Sequence, residues 1–493
     1  MPAGLRILLE MRPALDGHAG IPQETRLLFN ELARLPGASV EGLIQSSGRM
    51  LAPGLFDDTA SEDERIDRLS RVVVSLQGGS RSRLEQIEAS LRLWRDQRLL
   101  APLTLLGRRV RLGRFDAQRF ADFVWRAMFE RTLRHEDFDV VTACRFRVAV
   151  LPWTAMHRSA LSTRWTGRAI YPRLDTGDFD VMVAETPYPG RVSPATTLVV
   201  RYHDAVPLLM PHTISDRAFH RASHFHALRR NVADGAWFAC VSETTRRDLI
   251  SIFPQAEPRA VTIHNMLSQH YFHEESSPDR LREIVRVRLS QSMPDNRPDL
   301  SRLPSDGSFE YLLMVSTIEP RKNHLTLLAA WEQLRAEGHP ELKLVLVGTL
   351  GWEHKVIVRK LRPWLDRGDL YVLEDVPAAE LRLLYRHAKA TVCPSFGEGF
   401  DLSGVEAMRC GSPVAASDIS VHREVFEDAA EYFSPYSAET LALGVARLID
   451  PAAAPLREQG ARRRAEVSAR YLPERIMPQW RALFERLAVR KAA

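Results

Sequence analysis

"ATVCPSFGEGFDLSGVEAMRCGSPVAAS", Ala390 to Ser417, decides the fold of this 493-residue chain. It opens on an apolar, β-branched run, turns through Gly397 and Gly399, enters a helix near Leu402 and closes on a second strand-like run. Strand, turn, helix and strand in that order make a parallel βαβ unit, because parallel neighbours need a crossover of helix length.

The alternation extends outward on both sides. "EYLLMVST", "KLVLVG", "LYVLED", "ATVCPS", "PVAAS" and "EYFSP" are six strand candidates after residue 308. Before it, strands are expected near Leu5–Leu9, Ser39–Ile44, Asp139–Ala143, Asp180–Ala184, Thr197–Tyr202, Trp237–Cys240 and Val261–His264. Such a pattern demands parallel sheets covered by helices on both faces. A chain of this length exceeds one ordinary core. The expected class is α/β, with two Rossmann-like, doubly wound domains facing each other across a cleft. Residues 1–275 form the first domain, with a helical, basic insertion at about 48–136. Residues 276–308 carry four prolines and many charges and read as a linker. Residues 309–470 form the second domain, and 471–493 a helix crossing back to the first.

A formal charge of +5 is too small an excess to signal nucleic-acid binding. The four cysteines, Cys144, Cys240, Cys393 and Cys410, are scattered, so they read as reduced thiols of a cytoplasmic protein and imply no zinc site or disulfide framework. The N-terminus, broken by Arg6, Glu10 and Arg12, reads as a first strand and not a leader. No apolar run approaches the roughly 20 residues of a membrane span.

Ligands of doubly wound sheets sit at the carboxyl ends of strands. The chemistry-bearing motifs follow strands accordingly. In the opening stretch, Gly397, Gly399 and Gly404 allow close backbone approach, and the helix beginning near Leu402 adds its positive end, so the turn can cradle an oxygen-rich ligand. Glu406, in the first helical turn, is placed to accept two hydrogen bonds from a vicinal diol such as a ribose. In "TIEPRKN", Arg321 and Lys322 lie at a helix N-terminus, which is unfavourable unless an anion sits between them. A diphosphate supplies one. His203, with Asp204, ends the strand "TLVVRY" and is either a cleft histidine or a capped structural one. Gly348, in a G-x-x-G after "LVLV", is a ligand-loop candidate of low specificity. The two "DFD" triplets, at Asp137–Asp139 and Asp178–Asp180, read as strand starts and not metal motifs.

Together "TIEPRKN", "LYRHAKATVCPSFGEGFDLSGVEAMRCGSPVAASD" and "DAAEYFSPYSAETLA" resemble the donor-binding domain of the retaining family-four glycosyltransferases of the GT-B fold. "GIPQETRLLFNELARLPG", "RYHDAVPLLMP" and "ACVSETTRRDL" carry a weaker similarity in the first half, and only about 48–136 and the linker fall outside it. The resemblance implies a donor site in which Glu406 holds the ribose, Glu398 lies by the hydroxyls of the transferred sugar, and Arg321 and Lys322 neutralise the diphosphate. It implies that the amides near Gly399, Phe400 and Asp401 meet the sugar and those near Leu402 and Ser403 the phosphates. His203 then lies close to donor sugar and acceptor, and Gly20 faces the diphosphate across the cleft. Asp401 stands where many relatives have glycine, Ser403-Gly404 replace a common proline and apolar residue, and "HNMLSQ" lacks the usual Asn-Gly. A carboxylate at Asp401 is therefore expected beside the sugar pocket, as a determinant of donor choice.

The implied function is hexosyl transfer, with retention and without cofactor or metal, from a nucleotide diphosphate sugar. "TIEPRKN" is similar to that of bacterial polysaccharide mannosyltransferases, which favours GDP-mannose over UDP or TDP sugars. The acceptor is a saccharide, lipid-linked in cell-surface polysaccharide synthesis. A GT-B sugar-nucleotide epimerase and a non-enzymatic nucleotide-sugar-binding regulator are the rival readings. Residues 92–134 hold eleven arginines against four acids, interleaved with Trp94, Phe115, Phe120, Phe123, Trp125 and Phe129. They read either as a peripheral contact with an anionic inner leaflet or as an insertion showing a solvated basic face.

Overall fold

The computed structural model describes residues 4–15, 20–51, 61–75, 109–164, 169–214, 216–289, 309–450 and 454–492, with residues 102, 303 and 452. The first half contributes β1 (Leu5–Glu10), β2 (Ala38–Gln45), β3 (Arg109–Val110), β4 (Leu112–Phe115) and β5 (Arg145–Ala149). It continues with β6 (Arg173–Leu174), β7 (Val181–Ala184), β8 (Thr197–Tyr202), β9 (Trp237–Cys240) and β10 (Ala260–Thr262). The second half contributes β11 (Tyr311–Val315), β12 (Lys343–Val347), β13 (Leu370–Leu373), β14 (Ala390–Cys393), β15 (Val414–Ser417) and β16 (Glu431–Phe433).

Two sheets carry the molecule. The first runs β10-β9-β8-β7-β1-β2-β5-β4 and the second β13-β12-β11-β14-β15-β16, while β3 and β6 pair separately. Every pairing is parallel except that of β4 with β5. Buried on both faces, β7 is continuously apolar and β14 is apolar but for Thr391, which bonds Ser412, the pattern expected of parallel strands in a three-layer fold. Strand order reverses between β11 and β14 in the second sheet and between β1 and β7 in the first. Loops leaving the carboxyl ends of those strands part company there and open a crevice. "STIEPRKN" leaves β11, "PSFGEGF" leaves β14, and Glu185 follows β7.

Four details correct the sequence reading. The run Asp139–Ala143 is not a strand. Phe138–Thr142 is helical, burying Val141 and Thr142, and the first "DFD" opens this helix, with Asp137 before its first residue accepting from Arg34 at 2.5 Å. The strand is the next segment, Arg145–Ala149, where Phe146 and Val148 point inward and Arg147 pairs with Glu41 of β2 at 2.7 Å. The insertion at about 48–136 is not simply helical. Besides the helix Glu62–Val74 it supplies β4, the antiparallel edge of the first sheet. Its aromatics Phe115, Phe123, Trp125 and Phe129 lie in the core, with Phe29 packing on Phe129 at 5.3 Å, so they form no membrane face; residues 92–101 and 103–108, with Trp94, lie outside the described residues. The expected linker begins with the helix Leu281–Arg288, fixed to the second domain by the Arg288–Glu380 pair at 2.7 Å.

The helix Pro473–Ala492 packs on the first domain. Its buried Trp480 lies 5.4 Å from the Arg201 guanidinium, and Arg486 sits over Trp237 at 4.6 Å. A second bridge comes from Glu424, which accepts from the Glu243 and Thr244 amides at 2.6 and 2.9 Å and so caps the helix Glu243–Ile252 from the opposite domain. Among the described residues no helix is long and apolar enough to cross a membrane.

Candidate functional site

The loop after β11 supplies the cations. Pro320 starts a single 3-10 turn that ends on Asn323 in the left-handed region, φ 63°. The Asn323 amide then donates to the carbonyls of Pro394 and Pro435, at 2.9 and 2.8 Å, tying this loop to those after β14 and β16. Arg321 and Lys322 are thereby aimed at one carboxylate. Arg321 Nη1 donates to Glu398 Oε2 at 2.7 Å and Lys322 Nζ to Oε1 at 2.6 Å, while Arg321 Nη2 reaches Glu319 at 3.0 Å. The anion required between the two cations is thus the protein's own Glu398. Burial alone would raise its pKa, but Arg321 and Lys322 outweigh burial and hold it below the ordinary range.

Asp401 is a different matter from the expectation. Its backbone is left-handed, φ 67°, and its carboxylate accepts from Ser403 Oγ at 2.6 Å and the Gly404 amide at 3.4 Å, with His422 Nε2 at 3.1 Å. Burial opposes its charge, but His422 dominates and drives the carboxyl far down. It caps the helix Leu402–Arg409 and is wholly engaged inside the domain, so it is no free carboxylate beside a sugar. Gly404 is explained by the same packing, since a Cβ there would lie 2.3 Å from the Phe426 ring.

Glu406, buried on that helix, accepts from Tyr385 Oη at 3.0 Å and from Gln23 Nε2 of the first domain at 3.0 Å. Burial pushes its pKa up to about 7, only partly offset by Gln23, Tyr385 and Tyr271. The native state therefore binds a proton that an unfolded Glu, ordinarily at 4.5, has lost, and stability falls as pH rises from that value through about 7. Glu406→Gln is expected to flatten this slope in thermal melts between pH 5 and 8. An unchanged slope would contradict the assignment.

The first domain closes the site. Gly20 opens the helix Gly20–Ala33 and lies against Leu402, a Cβ on it being 3.6 Å from the Leu402 methyl. Residues 16–19 before it lie outside the described residues. His203 Nε2 is 3.3 Å from Glu185 Oε2, and Asp204 accepts from the Val206 amide at 2.9 Å, orienting the following turn. Burial, reinforced by Arg201, lowers the His203 pKa to about 4, so the ring is neutral at physiological pH. Gly399 approaches the His203 backbone so closely that a Cβ would lie 1.8 Å from its carbonyl oxygen. Gly399→Ala must therefore hold the two domains apart. A misplacement near 1 Å costs about 10²-fold in rate, so a reaction catalysed across this crevice should slow by about that factor.

The structure brings Arg321, Lys322, Glu398, Gly399, Leu402 and Glu406 against Gly20 and His203 across one crevice. Phe400 packs inside it, 5.0 Å from Tyr471, and Ser403 serves Asp401. Gly348, at φ 149° and with no room for a Cβ beside the Ser316 carbonyl, starts the loop that runs beside Ile318. Sequence reasoning missed Gln23 and Glu185. An acid placed just after a buried strand, "VMVAE", was the available signal for Glu185; nothing local marks Gln23. Among the described residues no cluster of three or more His, Cys, Asp or Glu side chains suits a metal ion.

Residues 296–464 match the family described as glycosyl transferases group 1. The chain is 36% identical over 179 residues to the serotype-specific mannosyltransferase WbdA of Escherichia coli, a match covering 36% of this chain and 21% of that protein. It is 32% identical over 203 residues to the O-antigen chain mannosyltransferase B of E. coli, covering 41% and 48%. The chain thus spans between about a fifth and a half of these curated relatives. Sucrose-phosphate synthase from Thermosynechococcus elongatus superposes with a TM-score of 0.57 at 16% identity, over 98% of this chain and 99% of that one. Anabaena HepE in complex with UDP-glucose gives 0.55 at 15%, over 98% and 100%. These two likenesses show the fold.

Proposed function

We propose, on the premise that residues 296–464 form a glycosyl transferases group 1 domain within a GT-B chain, that the protein transfers a hexose from a nucleotide diphosphate sugar to a saccharide acceptor. The observation that carries this reading is the convergence of Arg321, Lys322 and Glu398 on the glycine turn, one helical turn from Glu406 and opposite His203. In the proposed reaction the bond from the anomeric carbon to the diphosphate breaks, and the acceptor oxygen bonds that carbon on the same face. The acceptor proton passes to the diphosphate oxygen, and the nucleoside diphosphate leaves. Arg321 and Lys322 meet the charge that develops there, in place before the reaction begins, so no metal ion is needed. Glu398, released from the cations, takes hydroxyls of the sugar, and Glu406 exchanges Gln23 for the ribose. His203, neutral, is a hydrogen-bonding group beside the transferred sugar.

The similarity to a serotype-specific mannosyltransferase and an O-antigen chain mannosyltransferase supports a mannosyl donor and a polysaccharide product; the reading takes GDP-mannose as that donor and a lipid-linked saccharide as acceptor. The test is incubation with GDP-, UDP-, TDP- and ADP-sugars with and without saccharide acceptors, reading nucleotide release and the anomeric configuration of the product. Acceptor-dependent release with retention is expected. An inverted product sinks the mechanism, isomerised donor without acceptor identifies an epimerase, and binding without turnover identifies a regulator.

A further inference from the structure

The Gly348-x-x-Gly351 loop after β12 has no part in the reaction proposed above, yet it is tied to the segment that carries Arg321. Ile318 N–H donates to the Thr349 carbonyl at 2.9 Å and Gly351 N–H to the Ile318 carbonyl at 3.0 Å, so the two segments run side by side. The glycines let them lie this close. A Cβ on Gly348 would lie 2.1 Å from the Ser316 carbonyl oxygen, and one on Gly351 3.0 Å from Glu319 Oε2. His354 Nδ1, 2.7 Å from the Gly351 carbonyl, closes the turn. At the tip Trp352, 42% exposed, reaches the first domain, its ring 5.2 Å from that of His220 on the helix Arg217–Ala233. The loop thus touches the opposite domain at one point and Glu319 at another.

Glu319 in turn holds Arg321. The guanidinium is bonded at both ends: Nη1 donates to the Gly397 carbonyl and to Glu398 Oε2, each at 2.7 Å, and Nη2 to Glu319 Oε1 at 3.0 Å. Burial works against the Arg321 charge, but Glu398, Glu319 and Asp204 outweigh it and keep the group protonated. A planar fork is fixed in direction when both of its prongs are bonded. Bonds to Nη1 alone would leave the plane free to turn. Glu319 stands in extended backbone, φ −149° and ψ 157°, just before the turn Pro320–Lys322, and its side chain lies against Gly351.

We propose that Glu319 is a positioning residue: held against Gly351 by a loop whose Trp352 rests on the first domain, it aims Arg321 at the Glu398 turn when the crevice is shut. What Arg321 does once aimed rests on the transferase reading above. A carboxylate at this place acts oppositely on binding and on chemistry. It repels a diphosphate, as any nearby anion does, and yet it directs the cation to where charge develops during transfer. Removing it should therefore slow turnover without loosening the nucleotide. A residue that only supports the loop would, when removed, weaken both together.

Kinetics and nucleotide binding on the full chain test it. Glu319→Ala should lower kcat about ten-fold, the loss of one hydrogen bond to a charged group, while the Kd for GDP or UDP stays the same or tightens. Glu319→Gln keeps an acceptor oxygen and should return kcat to within about three-fold of wild type. Trp352→Ala should lose about three-fold, and nothing further when combined with Glu319→Ala, because it acts through that side chain. Nucleotide affinity falling in step with kcat, no rescue by glutamine, or additive losses for Trp352 and Glu319 overturns the proposal. The Arg321 Nε–H NMR resonance, assigned by its loss in Arg321→Lys, needs no turnover. It should report slow guanidinium rotation in the wild type and fast rotation in Glu319→Ala, and equal rotation in the two overturns the positioning role. If the wild type neither turns over a nucleotide sugar nor binds GDP or UDP, the transferase reading fails separately, and the resonance still decides whether Glu319 fixes Arg321.

Discussion

Replacing Lys322 by methionine is expected to lower kcat for nucleotide-sugar turnover by about 10²–10³-fold, the usual loss when one preorganised group facing developing charge is removed. Methionine keeps the aliphatic stem and deletes only the ammonium that lies 2.6 Å from Glu398. Glu398 keeps its 2.7 Å bond to Arg321, so the loop after β14 retains its anchor and the variant should fold. The effect belongs in kcat and kcat/KM together, because in the proposed reaction the charge on the departing diphosphate oxygen grows from the ground state to the transition state. A variant retaining more than about a tenth of the turnover would show that Lys322 does not face the leaving group.

Arg201→Met should cost about 3–5 kcal/mol of stability, the range for removing one partner of a buried ion pair. Arg201 is fully buried on β8 and donates to Glu24 at 2.7 Å, the Ile263 carbonyl at 2.5 Å, the His264 carbonyl at 3.1 Å and Asn265 at 2.9 Å. Glu24 in turn receives the Met266 amide at 2.9 Å. Burial already raises the Glu24 pKa against the pull of Arg201, so losing the guanidinium strands a carboxyl and three carbonyl-side acceptors at once. Urea denaturation measures this as a lower midpoint at unchanged slope. Adding Glu24→Gln should recover part of the loss, and a deficit under about 1 kcal/mol would refute the role, since ordinary substitutions reach that much.

The second sheet was legible because each of its six strands is an apolar run bounded by turn residues, and its helices carry the intervening polar stripe. The first sheet hid one strand. Arg145 and Arg147 interrupt "RFRVA", and the neighbouring "DVVTA" offered a more apolar segment that local hydrogen bonds turn into helix. Arg201 likewise reads as an interruption of "TLVVRY" until its partners, from Glu24 to Asn265, are assembled by the fold. The donor-side motifs were readable since "TIEPRKN" and "SFGEGF" each follow a strand directly. Asp401 was misread because its partner, His422, is a further helix away, and no local spacing reveals that a carboxylate is already spoken for. Gln23 escaped for the same reason, its partner being in the other domain.

That Gln23–Glu406 bond, together with the capping of Glu243–Ile252 by Glu424, means the crevice idles shut. On the proposed function, a nucleotide arriving from solvent finds Glu406 already bonded to Gln23 and must wait for the domains to part. Its observed association rate should therefore level off with concentration at the opening rate, and its apparent affinity should be the intrinsic one scaled by the open fraction. Gln23→Ala, which loosens the latch without touching the donor loop, trades that waiting time for faster entry, so the glutamine sets a tempo as well as a contact.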